Sequence, residues 1–177
     1  MSGLTMELKG ADEALTALGR IVDRIDHPRP LYDELGRMLA TSTGQRFEDE
    51  EDPDGNPWPK SIRALLDGGK TLTDSTALRG SITWEASDTD VSVGTNVIYA
   101  AIHQLGGIIT AKTSAGLHFQ IGGVWVTKAS VTMPARAFLG VSDEDETEIL
   151  NIAGEWLLEP VGGADESTPA SSGGVNA

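Results

Sequence analysis

The stretch from Gly94 to Gly140 constrains this chain most, because it contains a hairpin pattern set between two glycine-bounded segments. It opens with GTNVIYAAIHQLGG, closes with MPARAFLG, and alternates apolar and polar residues in between. The apolar members of the first predicted strand are Leu117, Phe119 and Ile121. Gly122-Gly123 then forms a two-residue turn signal, and VWVT follows it. This pattern predicts a β-hairpin, which we call the arm and place at residues 107–132.

An isolated two-stranded hairpin is only marginally stable in water, so the arm needs a surface to lie against. Phe119 and Trp125 give it two large aromatic groups that favour burial. The covering surface belongs either to the same chain or to a second copy. For Trp125, contact with a partner and packing within the chain both remain open. Trp58 lies in an irregular proline-rich loop, where a large aromatic residue often anchors a partner.

The remaining segments predict a mixture of helices and antiparallel strands, and so an α+β fold. We expect an antiparallel sheet packed against an N-terminal helix pair and a C-terminal helix, with the arm protruding. One domain spans residues 1–160, and a small polar tail at 161–177 is expected to be disordered. The predicted elements are a strand at Leu4–Leu8, helices after Asp12 and Pro30, a hairpin over 81–93, and a helix capped by Ser142.

Composition excludes several classes of function. The chain has 27 acids and 13 bases, for a net charge of −14, and no cysteine. Disulfides and thiolate metal sites are therefore excluded. The charge has the wrong sign for gripping a nucleic-acid backbone, although like charge suits a wall past which DNA slides. No run of about 18 apolar residues is present, so we expect no membrane span.

Two weak motifs resemble ligand sites. Gly68-Gly69-Lys70-Thr71 has the end of a phosphate-binding loop, but Ala64 stands where that pattern needs glycine. The segment is better explained as a turn that ends a helix.

Because no histidine has zinc-ligand spacing and no nucleophile motif is present, we predict no enzyme activity, cofactor or metal.

Glu50, Asp52 and Asp54 resemble half of a calcium loop, but Ser61 occupies the position of the final bidentate acid. A solvated acidic loop accounts for these residues. A metal-assisted enzyme that uses these three carboxylates remains an alternative, which absence of calcium or magnesium binding would eliminate.

Several segments in combination resemble the virion morphogenesis, or tail completion, proteins of Mu-like and P2-like tailed phages. They are LTDSTALRGSI at 72–82, GTNVIYAAIHQLGG at 94–107, GGVWVTKASVTMPARAFLG at 122–140, and SDED at 142–145. The resemblance covers residues 4 to 158. It departs from the family pattern at Leu105, where relatives often have an aromatic residue, and in the tail after Pro160.

This resemblance implies a non-enzymatic structural virion protein at the head–tail junction. Such proteins act as tail completion, tail terminator or neck connector proteins and form rings, commonly hexameric, that join the tail to a DNA-filled head. The implied partners are other copies of the chain, tail-tube proteins and neck or connector proteins, while DNA passes through without specific binding. The implied location is the neck or tail end of the virion, after assembly in the host cytoplasm.

The residues and the resemblance together give a hypothesis for assembly. The arm reaches across to the adjacent subunit, and Arg136, within the segment 135–139, seats its base. The candidate interface residues are Leu117, Phe119, Ile121, Trp125, Arg136 and Trp58. The alternative is a capsid-side assembly factor that is not retained in the mature virion.

Overall fold

A computed structural model describes residues 11–158, so the predicted strand at Leu4–Leu8 and the tail at 161–177 lie outside the described residues. The helices are α1 (Ala11–Asp26), α2 (Arg29–Asp49), α3 (Ile62–Asp67), α4 (Ala100–Leu105) and α5 (Asp143–Leu158). The strands are β1 (Thr83–Ala86), β2 (Val91–Gly94), β3 (Gly107–Thr110), β4 (Leu117–Ile121), β5 (Val124–Lys128) and β6 (Ser130–Met133). A single 3-10 turn, Arg79–Ser81, precedes β1.

The strands of the described part form three antiparallel pairs, β1 with β2, β3 with β6, and β4 with β5. The α+β class is therefore confirmed, and so is the antiparallel pairing. The expected single sheet is replaced by three two-stranded ladders. These strands have only four or five residues each. The β3–β6 and β4–β5 ladders follow one another along the arm, so neither extends the β1–β2 pair.

Helix α2 is the central helix, because it packs against β1, β2 and α5. Pro30 stands in its first turn, as predicted. The indole of Trp84 lies directly on the α2 backbone at Gly36, where an added Cβ would come within 2.4 Å of the ring. The indole N–H donates a hydrogen bond of 2.9 Å to Asp33. Glycine is therefore required at this position for the β1–β2 pair to lie on α2.

Helix α1 departs from the predicted helix pair. It lies against α5, whereas α2 carries the contact with the β1–β2 pair. A pair of four-residue strands offers one small apolar face, and the 21-residue α2 already covers it. The apolar side of α1 is left in solvent, with exposed fractions of 57 to 66% for its members, Leu15, Leu18, Val22 and Ile25.

The core is built around aromatic rings from α2, from the loop that follows it and from the segment before α5. Phe47 of α2 contacts Trp58 edge-on at 5.4 Å between ring centroids, and it contacts Phe138 at 5.3 Å. Leu78 and Ala100 complete the buried cluster.

The prediction that Trp58 contacts a partner is wrong, because its ring packs against Phe47 in the core of its own subunit and only 4% of the residue is exposed. Its indole N–H donates a hydrogen bond of 2.9 Å to the carbonyl of Ala137. Glu50 takes the left-handed conformation at the end of α2, and its carbonyl accepts a hydrogen bond of 2.6 Å from the Trp58 amide. The acidic loop after α2 is thereby folded back on the helix, and the indole of Trp58 lies in the core.

A buried ion pair joins α2 to the C-terminal helix. The guanidinium of Arg46 contacts the carboxylate of Asp145, and both side chains are only 6% exposed. Arg46 also donates hydrogen bonds to the carbonyls of Phe138, at 3.0 Å, and Gly140, at 2.9 Å. Asp145 and Ser142 cap α5 reciprocally, each side chain accepting from the other's backbone amide.

Replacing Arg46 by Met should destabilise the protein strongly. The change leaves Asp145 buried without its counter-ion and removes the donor to two carbonyls, so we expect the free energy of unfolding to fall by about 3 kcal/mol. Urea denaturation measures the difference. The matched control is Arg37→Met, which removes an exposed ion pair with Asp33 on the same helix and should cost about 0.5 kcal/mol or less. Equal effects of the two changes would contradict this account.

The Asp145 pair also predicts a dependence of stability on pH. Burial acts to raise the pKa of Asp145, but hydrogen bonds from Ser142 and Ser42 and the charge of Arg46 hold it below the ordinary value of 3.8. A carboxyl whose pKa is lowered by folding stabilises the protein above its unfolded pKa and loses that contribution as the pH falls through the folded value. The stability difference between the natural chain and Asp145→Asn should therefore be constant near neutral pH and shrink below pH 3.8. A difference that stays constant into acid would exclude the ion pair as its source.

Candidate subunit interface

The arm is one long hairpin made of two successive ladders. β3 and β6 form its base, β4 and β5 form its outer half, and an Ala111 to Ala129 backbone hydrogen bond of 2.9 Å continues the base ladder outward. Gly122 and Gly123 make the turn with φ of 55° and 78°, which residues with a side chain rarely adopt. The predicted hairpin and its two-residue glycine turn are confirmed.

The register of β4 and β5 places the two aromatic residues of the arm on opposite faces. Phe119 stands opposite Val126, and Trp125 stands opposite Gln120. Directly opposed residues share a face and neighbours in a strand alternate, so Phe119 and Trp125 point apart. We call the face with Leu117, Phe119 and Ile121 the inner face and the face with Trp125 the outer face.

The inner face lies over the body of the same subunit across a cleft of about 780 Å³. Leu117, Phe119 and Ile121 line this cleft together with residues of α3, α4 and the segment after β6. The turn of the arm approaches α3, since a Cβ at Gly122 would lie 3.1 Å from the side chain of Leu66. The three inner-face residues are half-buried by this arrangement. Trp125, by contrast, is 71% exposed on the outer face.

The segment 134–140, which we call the anchor segment, is held by side chains where a strand partner would normally stand. Gln104 accepts hydrogen bonds from the amides of Phe138 and Leu139 and donates one of 2.8 Å to the carbonyl of Leu139. Arg46 and the indole of Trp58 bind three more of its carbonyls. Both arm strands leave the body beside this segment, so it fixes the base of the arm.

Arg136 belongs to the anchor segment and lines the cleft. It is only 4% exposed, and burial lowers its pKa. Its Nε donates a hydrogen bond of 2.7 Å to the carbonyl of Pro59, and its backbone amide donates one of 2.7 Å to the backbone carbonyl of His103. No carboxylate within residues 11–158 forms an ion pair with it. The cleft therefore contains a buried cation without a counter-ion among the described residues.

The arm differs in charge from the rest of the protein. Residues 91–142 contain none of the 27 acids and three of the bases, Lys112, Lys128 and Arg136. Acids cluster in other parts of the surface, for example around a second depression that is lined by α2, the loop after it and the start of α5. Its acids are Asp49, Glu51, Asp52, Asp54, Asp143 and Glu144. An arm without acids on a strongly acidic protein is electrostatically suited to the acidic surface of another copy.

The acids of the calcium-like loop are engaged by the protein itself. Asp52 accepts hydrogen bonds from the backbone and side chain of Asn56, and Glu50 pairs with Lys60 and accepts from the amide of Thr71. Asp54 contributes its backbone amide to the same turn. No group of acids and histidines within residues 11–158 is arranged to hold a metal ion.

Lys70, in the phosphate-loop-like segment, forms an ion pair with Glu48, and Gly68 ends α3. None of the helices in the described range is both long and apolar enough to cross a bilayer.

Sequence reasoning missed the polar residues that organise this site. Gln104 and Arg46 looked like ordinary helix residues, and no local pattern marks Gln104 as the partner of a segment 34 residues away. The sequence gives one weak indication for Arg46, which directly precedes the buried Phe47 in the last turns of α2.

Comparison with known proteins assigns the chain to a family. The model of the phage virion morphogenesis family matches residues 9–158. Mu-like prophage FluMu G protein 2 of Haemophilus influenzae (strain ATCC 51907 / DSM 11121 / KW20 / Rd) is 32% identical over 147 residues, which covers 83% of this chain and 91% of that protein. No solved structure matches the chain. The resemblance seen in the sequence is thereby confirmed, and the chain belongs to the phage virion morphogenesis family.

Proposed function

We propose that the protein is a structural component of the head–tail junction, where copies of it form a closed ring that joins the tail to the DNA-filled head. The observation that carries this proposal is the uncovered outer face of the arm, with Trp125 71% exposed in a segment free of acids. A tryptophan so exposed on an ordered hairpin favours a partner surface. The family assignment supports a role in virion assembly.

A ring follows from the asymmetry of the subunit. The arm offers an apolar, acid-free surface, and the body offers an acidic one, so the two complement each other only between different copies. Contacts that use two different surfaces are head-to-tail and generate rings when the rotation closes. We propose six copies, with tail-tube and neck or connector proteins above and below.

The net charge of −14 suits a collar around DNA. A wall that carried exposed clusters of Lys and Arg would displace counter-ions from the phosphates and hold the duplex. In the proposed ring the bases of the arm would meet the acids of a neighbour, which leaves the remaining acidic surface for the lumen. DNA would then pass through the ring without specific binding, at the neck or tail end of the virion.

Replacing Trp125 by Ala should prevent ring formation while leaving the subunit folded. The indole is exposed in the isolated chain, so its loss should not lower the melting temperature, yet it removes the largest aromatic contact available to a neighbour. Ring formation is measured by analytical ultracentrifugation and negative-stain microscopy of the purified protein. The control is Leu150→Ala, since Leu150 is an equally exposed apolar residue on α5.

Two results would contradict the proposal. Closed rings of the Trp125→Ala protein would show that the outer face is not the assembly surface. Absence of the chain from purified virions, tested by mass spectrometry, would favour a transient capsid-side assembly factor.

A further inference from the structure

Helix α1 presents its apolar side away from its own subunit. Its other side faces α5, where the guanidinium of Arg24 lies 5.5 Å from the centre of the Trp156 ring. With about 100° between successive residues, Arg24 is on the far side of the helix from the stripe formed by Leu15, Leu18, Val22 and Ile25. Short amphipathic helices owe most of their stability to packing of the apolar face. Within residues 11–158, the stripe of α1 therefore lacks the contact that such a helix normally makes.

The cleft under the arm lacks what α1 could supply, namely an apolar segment to fill it and a carboxylate to pair with its cation. Its walls are mostly apolar, from the inner face of the arm and from residues such as Ile62 and Leu78. Arg136 also lines the cleft and has no carboxylate partner among the described residues, because Asp74, the acid in the lining, pairs with Arg63. A buried charge without compensation is strongly unfavourable, so the cleft suits an apolar segment that brings a carboxylate.

Helix α1 has a carboxylate at the edge of its stripe. Asp26 follows Ile25 and stands four residues after Val22, so it lies in the same column as Val22 on the helix surface. Inserting the stripe into an apolar cleft would bring this carboxylate in with it. The charge of Asp26 is opposite to that of Arg136.

The α1 helix of the same subunit is not suited to fill the cleft. It lies against α5, whereas the cleft is formed by α3, α4 and the arm. Only His27 and Pro28 separate the end of α1 from the start of α2, and two extended residues span about 7 Å. So short a link ties α1 to the N-terminal end of α2 and to the α5 side of the subunit.

We infer that the cleft under the arm of one copy receives the apolar stripe of α1 from the adjacent copy, and that Asp26 of that helix becomes the counter-ion of Arg136. The inference rests on the proposed ring, because it names the two surfaces of a head-to-tail contact. The arm then lies over a helix of its neighbour, and each subunit contributes one helix and one cleft.

Two variants separate the two surfaces. The donor variant, Leu18→Asp with Val22→Asp, spoils the stripe and keeps the cleft. The acceptor variant, Phe119→Gln with Ile121→Gln, spoils the cleft and keeps the stripe. All four positions are exposed or half-buried, so both proteins should stay folded, which circular dichroism and melting temperature verify. Leu150→Asp is the control for adding an acid at an exposed apolar position of a helix.

Each variant alone should fail to form rings, while an equimolar mixture should form a one-to-one heterodimer and nothing larger. In the mixture only one pairing is intact, α1 of the acceptor variant in the cleft of the donor variant. Sedimentation velocity and native mass spectrometry of the mixture measure this. Rings formed by the donor variant, or a mixture that stays monomeric, would overturn the inference. Rings formed by the acceptor variant would overturn it too, and would point to contact between two α1 helices.

The heterodimer also isolates the proposed ion pair. Asp26→Asn, placed in the acceptor variant, and Arg136→Gln, placed in the donor variant, should each raise the dissociation constant about tenfold. Together they should do no more than either alone. Independent effects that multiply would show that Asp26 does not face Arg136. If α1 variants leave ring formation intact while Trp125→Ala abolishes it, this inference fails and the proposed function stands.

Discussion

The buried guanidinium of Arg46 is the interaction on which the rest of the structure depends. It neutralises Asp145, and it supplies donors to carbonyls of the anchor segment, so α2 meets at one cation two neighbouring segments that lie more than 90 residues further along the chain. A charge buried in this way is tolerated only when nearly all of its hydrogen-bonding capacity is used. The pair therefore acts less as a source of attraction than as a constraint, since α2, α5 and the anchor segment must all be in place at once.

The anchor segment transmits that constraint to the arm. It has no strand partner among the described residues, and side chains of Gln104, Arg46 and Trp58 bind its backbone. At Gly106 the end of α4 comes so close that an added Cβ would lie 2.7 Å from the amide of Ala135. Both strands at the base of the arm start from this crowded junction. A hairpin that is marginal by itself thereby gains a fixed direction, and its inner face is set over the cleft.

Local features of the fold could be predicted from the sequence, whereas the placement of side chains from distant segments could not. Gly122-Gly123 predicts the arm turn because few other residues adopt those angles, and Ser142 with Asp145 predicts the start of α5. The burial of Trp58 in the core depends on the left-handed turn at Glu50, and no simple sequence pattern predicts that turn.

The amphipathic period of α1 likewise predicts the helix, but it does not say which surface covers the stripe. For the candidate site, the inner and outer residues of the arm could be located from the sequence, while the position of Arg136 in the lining of the cleft required the structure.

Charge explains why the proposed contacts are where they are. Subunits that each carry a net charge of −14 repel one another, and this repulsion opposes assembly until short-range contacts exceed it. Placing the proposed contact surface in the one long segment without acids, residues 91–142, would lower the repulsion at the interface while the rest of the surface stays acidic. Salt screens charges beyond about 8 Å at physiological ionic strength, so the repulsion between distant surfaces fades while a buried pair such as Arg136 with a carboxylate persists. In the proposed ring, the same separation of charge would keep free subunits apart and direct them, once close, to meet through the arm.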